Sequence, residues 1–128
     1  MSERISFEHI PPQVLASMQV TESYLASTGL DIALLELMRV HISQINGCAY
    51  CVDMHMKEGL DKGIALNLLY SVGVWREVSY YSEVQKAVLH WAELSIAKQV
   101  LSSERDEVFQ RLRAYLSVAD IANLSLAI

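Results

Sequence analysis

The sequence has little of what would place it in most functional classes. It carries two cysteines, two prolines and five glycines among 128 residues. Both prolines, Pro11 and Pro12, stand near the start and β-branched alternation is missing, so nothing competes with a helical reading of the chain. Charges such as Glu36 and Arg39 interrupt every apolar run well before the roughly 20 residues of a membrane span. Ten Lys+Arg stand against 15 Asp+Glu, a formal charge of −5 without a basic cluster, which excludes a surface built to neutralise phosphates. The expected partners therefore include neither nucleic acid nor membrane. The stretch Met1 to Ile10 has no apolar signal core, so the cytoplasm is the expected compartment.

What is present is apolar. Hydrophobic residues make up 52% of a chain whose size limits how much surface it can bury, so part of that surface is expected to meet another copy. The length suits one domain, 1–128. Pro12 fits the first turn of a helix to about Ser27, stopped by Thr28-Gly29. Asp31 caps a second helix whose Ile32, Leu34, Leu35, Leu37, Met38, Val40 and Ile42 are apolar nearly all round, the mark of a central element, and which stops at Asn46-Gly47. A third is expected from about Cys48 to Gly59, and a short one from about Asp61 to Val72 with Gly73 as its stop.

Ser82 and Gln85 form a capping-box pattern ahead of a buried face of Val84, Val88, Trp91, Leu94 and Ala97. Ser103 and Asp106 open an amphipathic helix with Val108, Leu112 and Tyr115 inward. Ser117 and Asp120 begin a last one running into Ile128, an apolar end either cut short or packed on a partner. The fold class expected is all-α, a single-domain helical bundle of about six to seven helices.

The chemistry concentrates in Cys48-Ala49-Tyr50-Cys51-Val52-Asp53-Met54-His55. At about 100° per residue, Cys51 and His55 lie only about 60° and 20° from Cys48, so two thiols and a base share one helix face. Three residues along a helix also sets two Cα atoms roughly 5 to 6 Å apart, within reach of a disulfide, and a pair this close in a reducing compartment reads as redox or metal chemistry. Cys48, at the helix N-terminus, gains from the macrodipole, which lowers a thiol pKa from about 8.5; Cys51, four residues before His55, has the base. This leaves the choice of nucleophile open. Glu36 is a lone carboxylate in the most apolar helix, where an unpaired charge is costly. Either it pairs with Arg39 at i+3, or it faces the cysteines as an acid/base with a raised pKa.

Other residues carry less chemistry than their type suggests. His41 reads as a satisfied core or interface histidine, His9 and His90 as surface or packing residues, and Trp75 and Trp91 as core or subunit packing. Met38, Met54 and Met56 suit either a pocket or irregular core gaps, and Asp53 faces solvent.

The run Asn46-Gly47-Cys48-Ala49-Tyr50-Cys51-Val52-Asp53-Met54-His55, with Glu36 upstream and Trp75-Arg76-Glu77, Ala87, Leu89 and Glu93 downstream, resembles the carboxymuconolactone decarboxylase superfamily in its alkyl hydroperoxidase D-like branch. The resemblance covers roughly Leu30 to Ala97. It implies an all-helical unit assembling as a homotrimer or homohexamer, and a thiol-dependent peroxidase that takes a hydroperoxide and is recharged by a dithiol or protein reductant. It also implies roles. Cys51 attacks the peroxide, Cys48 resolves the sulfenic acid to a disulfide, and His55 and Glu36 carry the proton relay. One departure is Tyr50, where well-studied members have a further histidine; a phenol with a pKa near 10 donates a hydrogen bond but is a poor base near neutrality.

Three other readings stand beside this one. A zinc site would take Cys48, Cys51 and His55 with Glu36 or His41, but structural zinc usually recruits a second CxxC or His pair, which this chain lacks. The lactone-acid decarboxylases of the superfamily do not depend on a CxxC pair. A non-enzymatic redox adaptor between a reductase and a peroxiredoxin needs the dithiol but no peroxide pocket. The favoured reading calls for no cofactor and no metal.

Overall fold

The structure, a computed structural model, describes residues 4–128; Met1 to Glu3, part of the stretch read above for an export signal, lie outside them. A 3-10 turn at Phe7–His9 leads into α1 (Pro12–Ser27), α2 (Ile32–Ile45), α3 (Ala49–Asp61) and α4 (Leu66–Tyr70). A 3-10 segment, Val72–Glu77, then precedes α5 (Glu83–Ile96), α6 (Ser102–Arg113) and α7 (Val118–Leu126). Among the described residues there is no strand, and the fold is all-α.

The local signals for α1, α2, α5 and α7 work as their chemistry requires. Asp31 accepts the Ala33 N–H at 2.8 Å to cap α2, and Gly47 at φ 67° turns the chain after it. Ser82 with Gln85 and Ser117 with Asp120 form complete capping boxes.

α2 is the centre, packing against α3, α4, α5 and the Val72–Glu77 segment. Leu34, Leu35, Met38 and Ile42 join Ala87, Val88, Ala92, Leu112, Ile121 and Leu124 in one core cluster. Leu37 and Val40, on another side of the helix, join Ile64, Leu69, Val72, Trp75, Tyr81 and Leu89 in a second. Each such leucine contributes about 1.5 to 3 kcal/mol by leaving water, so this helix cannot turn in place. Its remaining face, with Glu36, is thereby fixed towards α3.

Four boundaries differ from the expectation. α3 runs through Gly59 to Asp61, and Gly63, at φ 82°, makes the stop. Gly59 serves packing instead: a Cβ there would lie 2.7 Å from a Leu69 methyl, so any other residue would force the fully buried Leu69 side chain to shift where α4 packs on α3. The single helix expected from about Asp61 to Val72 is α4 followed by the 3-10 segment, in which Gly73, 3.2 Å at its Cβ position from the Gln44 side chain, is an internal close contact and not the end. α6 starts at Ser102 behind Leu101, without a side-chain cap, so Ser103 and Asp106 do not open it. Tyr115 is exposed because α6 ends at Arg113 and the chain turns before the inward stripe reaches it. The buried face of α5 is also broader than expected, adding Ala87, Leu89 and Ala92 while Ala97 stays exposed.

Candidate active site

Cys48 is the N-cap of α3 and Cys51 lies in its first turn, with Cα atoms 5.3 Å apart, and the two form a disulfide. The Cys51 N–H points at Cys48 Sγ at 3.3 Å, the place where a capping oxygen would sit, so an orphan helix N–H faces the first sulfur. One turn further on, His55 Nδ1 is 3.0 Å from Glu36 Oε2. Because that nitrogen faces a carboxylate it carries the proton and donates it, which leaves Nε2 as the free basic position.

Glu36 is 1% exposed, and both of its oxygens are engaged. Oε2 accepts from His55; Oε1 accepts from Lys62 Nζ at 2.8 Å and more weakly from Arg39 at 3.4 Å. Burial alone pushes this carboxyl up, but hydrogen bonds and charge from His55 and Lys62 outweigh burial and hold it at about 2, below the ordinary 4.5. The raised pKa that belonged to one of the two readings of Glu36 is therefore not found. The two readings of the residue are not exclusive either, since it meets both Arg39 and His55. At neutral pH it is a fixed anion that orients the imidazole, not a group that accepts a proton.

A depressed carboxyl stabilises the fold above its unfolded pKa, and that contribution disappears as pH falls through the folded value. Thermal unfolding of wild type followed from pH 7 to pH 2 is expected to lose on the order of 3 kcal/mol from this one group, mostly between pH 4.5 and 2. Glu36→Gln starts less stable at pH 7 and loses less over that interval. Equal pH slopes for the two proteins contradict the assignment.

Cys51, His55, Met54, Ile42 and Met18 line one cavity of about 490 Å³, with Arg39 and Glu58 at its polar side. Cys48 opens instead onto a shallow groove formed by Gln44, Gly47, Val52 and Met56. Cys51 thus lines the same cavity as the base, while Cys48 lines the neighbouring groove. Met38 is core, whereas Met54 and Met56 line these surfaces. Tyr50 is 77% exposed, and exposed Asp53 pairs with Lys57 at 2.7 Å.

His41 belongs elsewhere. Its Nε2 is 2.7 Å from Glu93, whose carboxylate also receives Trp75 Nε1 at 2.9 Å and a two-pronged Arg76. Burial pushes Glu93 up, yet His41, Arg76 and Trp75 together hold it well below the usual carboxylate range. This node ties α2, α5 and the 3-10 segment together, so His41 is no fourth ligand for the cysteines. Glu36, His55 and Glu58 bring ligand atoms within 4.8 Å of one another, a spacing that would hold a cation. The cation beside them is the Lys62 ammonium, 2.8 Å from Glu36 Oε1 and 4.0 Å from Glu58.

Reading the sequence missed Lys62, Glu58 and the contribution of α1. The signal for the first two was periodicity: Cys48, Cys51, His55, Glu58 and Lys62 alternate steps of three and four along one face.

The model of the carboxymuconolactone decarboxylase family matches residues 12–94, from the start of α1 into α5 and across every residue of the site. The chain belongs to that family. Within it, a similar protein is YdfG of Bacillus subtilis (strain 168), which is uncharacterized, 32% identical over 130 residues spanning 100% of this chain and 86% of the relative. A similar crystal structure is that of ATU0492 from Agrobacterium tumefaciens, a protein of unknown function provisionally assigned as the antioxidant defence protein AhpD. It superposes with a TM-score of 0.87 at 32% identity, covering 98% of this chain and 86% of that one.

Proposed function

We propose that this family member is a thiol-dependent peroxidase that reduces hydroperoxides, alkyl hydroperoxides included, through a Cys48–Cys51 dithiol–disulfide cycle. The observation that carries the reading is that Cys51 and His55 share one partly apolar cavity while a buried, ionised Glu36 orients the imidazole. An adaptor needs the dithiol but not this arrangement, and the provisional antioxidant assignment of ATU0492 points the same way.

The steps balance with this chain's residues. His55 Nε2 takes the Cys51 thiol proton, and the thiolate attacks the distal oxygen of ROOH. The O–O bond breaks, RO⁻ leaves and takes the proton as ROH, and Cys51 becomes a sulfenic acid. Cys48, as thiolate, attacks that sulfur and expels hydroxide, which leaves as water once protonated, and the disulfide forms. Two electrons have passed from the dithiol to the peroxide. An external small-molecule or protein dithiol then restores both thiols, and the shallow groove at Cys48 suits its approach. Among the described residues no helix is long and apolar enough to cross a membrane, and a reducing cytoplasm would supply such dithiols.

The test is consumption of tert-butyl hydroperoxide with excess dithiothreitol, compared with the rate at which the protein disulfide exchanges with the same dithiol. Peroxide loss well above the protein-free rate supports the peroxidase. Disulfide exchange without added peroxide loss indicates the adaptor.

We also propose that the working form is a homotrimer or homohexamer. α1 buries only Leu25 and leaves Val14, Met18, Val20 and Tyr24 exposed, although Met18 and Glu22 line the cavity. The total surface is 8247 Å², against about 6,800 Å² for a folded monomer of this mass. The excess is of the size a subunit interface covers. Light scattering at micromolar concentration is expected to give three or six times 14.4 kDa, and a mass near 14.4 kDa contradicts the assembly.

A further inference from the structure

We propose that Lys62 is a positioning residue for this site: its ammonium holds one oxygen of Glu36 so that the other is presented to His55. Lys62 is the C-cap of α3, its N–H bonded to the Glu58 carbonyl at 3.0 Å, and Gly63 turns the chain away immediately after it. A long side chain on a helix leans back along its own face, which here is the face of Cys51, His55 and Glu58. Its ammonium reaches Glu36 Oε1 at 2.8 Å and stands 4.0 Å from Glu58.

Arg39 does not duplicate this role. Its nearer partner is Glu22 of α1, at 2.8 Å, and its contact with Glu36 is 3.4 Å. Without Lys62, the cation left beside Glu36 is this guanidinium, and when it leaves Glu22 to take both Glu36 oxygens, the arrangement its planar fork favours, the His55 N–H loses its acceptor. The next acceptor is Glu58, 3.6 Å from His55 Nδ1 and more exposed than Glu36, which draws the imidazole outward.

The charged groups around the pair are Glu22 from α1, Glu36 and Arg39 from α2, and His55, Glu58 and Lys62 from α3 and its cap. Three carboxylates therefore share two permanent cations. Removing the Lys62 charge makes the surroundings of Cys51 more negative, and freeing the imidazole weakens the base that takes its proton. Both effects disfavour the thiolate, so the pH midpoint of Cys51 reactivity moves up.

The experiment is alkylation of the reduced protein by uncharged iodoacetamide across pH, quantified at Cys51 by peptide mass spectrometry, with a melting curve for every variant. In Lys62→Met the midpoint is expected to rise by at least about half a unit, and the rate at pH 7 to fall about threefold or more. Lys62→Arg is expected to restore both to within about twofold, since a guanidinium reaches the same oxygen. Lys62→Gln serves if the methionine variant does not fold. A folded Lys62→Met or Lys62→Gln protein with an unmoved midpoint overturns the proposal, and so does a Lys62→Arg protein as impaired as Lys62→Met. Only the kinetic meaning of the role rests on the peroxidase reading. A wild type that consumes no hydroperoxide, with the Lys62→Met midpoint still raised, ends that reading and keeps the positioning role.

Discussion

Glu36→Gln is expected to slow reaction of the reduced protein with an organic hydroperoxide by about tenfold or more near neutral pH, without loss of the fold. A glutamine keeps the shape but offers one acceptor oxygen to two donors, Lys62 and His55, and turns its NH2 towards whichever is left. If the oxygen stays with Lys62, Nδ1–H of His55 meets another donor and the imidazole is no longer held with Nε2 free. The loss is expected to shrink at alkaline pH, where the thiol ionises without a base. His55→Asn removes the same function directly, so its effect is similar and the double variant loses much less than the product of the two. A purely structural Glu36 lowers the melting temperature and leaves the rate of the folded protein unchanged. The rate of the folded Glu36→Gln protein decides the matter, since the melting temperature falls on either account.

Cys51→Ser has the larger expected effect, a loss of about a thousandfold or more in reaction with hydroperoxide, because no nucleophile remains on the side of the base. Cys48→Ser separates the two sulfurs. It is expected to keep the first oxidation, leaving a sulfenic acid on Cys51 that a dimedone-type reagent traps, while turnover through a disulfide stops. The asymmetry has a structural source, since Cys51 and His55 line one cavity and Cys48 opens onto another surface. A Cys51→Ser protein that still forms a trappable sulfenic acid on Cys48, paired with an inert Cys48→Ser protein, reverses the assignment.

Much of the fold was legible because helix ends are written locally. Asp31, Ser82, Ser117, Gly29 and Gly47 act within three residues of where they stand, and the structure uses them as caps or turns. Misreadings arose where a residue answers to something distant. Gly59 looked like a stop and is instead a space for Leu69, and Tyr115 continued an inward stripe that the chain abandons after Arg113. The proximity of Cys48, Cys51 and His55 follows from helical spacing and needed no tertiary information. The electrostatics of Glu36 did not follow. Its isolation in an apolar helix suggested a raised pKa, but the His55 hydrogen bond and the Lys62 ammonium that together reverse the sign come from the next helix and its cap, 19 and 26 residues away. The same holds for His41, whose partner Glu93 lies on α5, and for the cavity wall supplied by α1.

The central claim is that one hydroperoxide is reduced at the expense of one Cys48–Cys51 dithiol. It is tested most directly by mixing fully reduced protein anaerobically with one equivalent of tert-butyl hydroperoxide, then measuring alcohol formed, free thiols remaining and the disulfide by peptide mass mapping. The expected result is one equivalent of tert-butyl alcohol, loss of both thiols, and an intramolecular Cys48–Cys51 link that dithiothreitol reverses. Peroxide left intact with both thiols free, or a link formed only between chains, contradicts it.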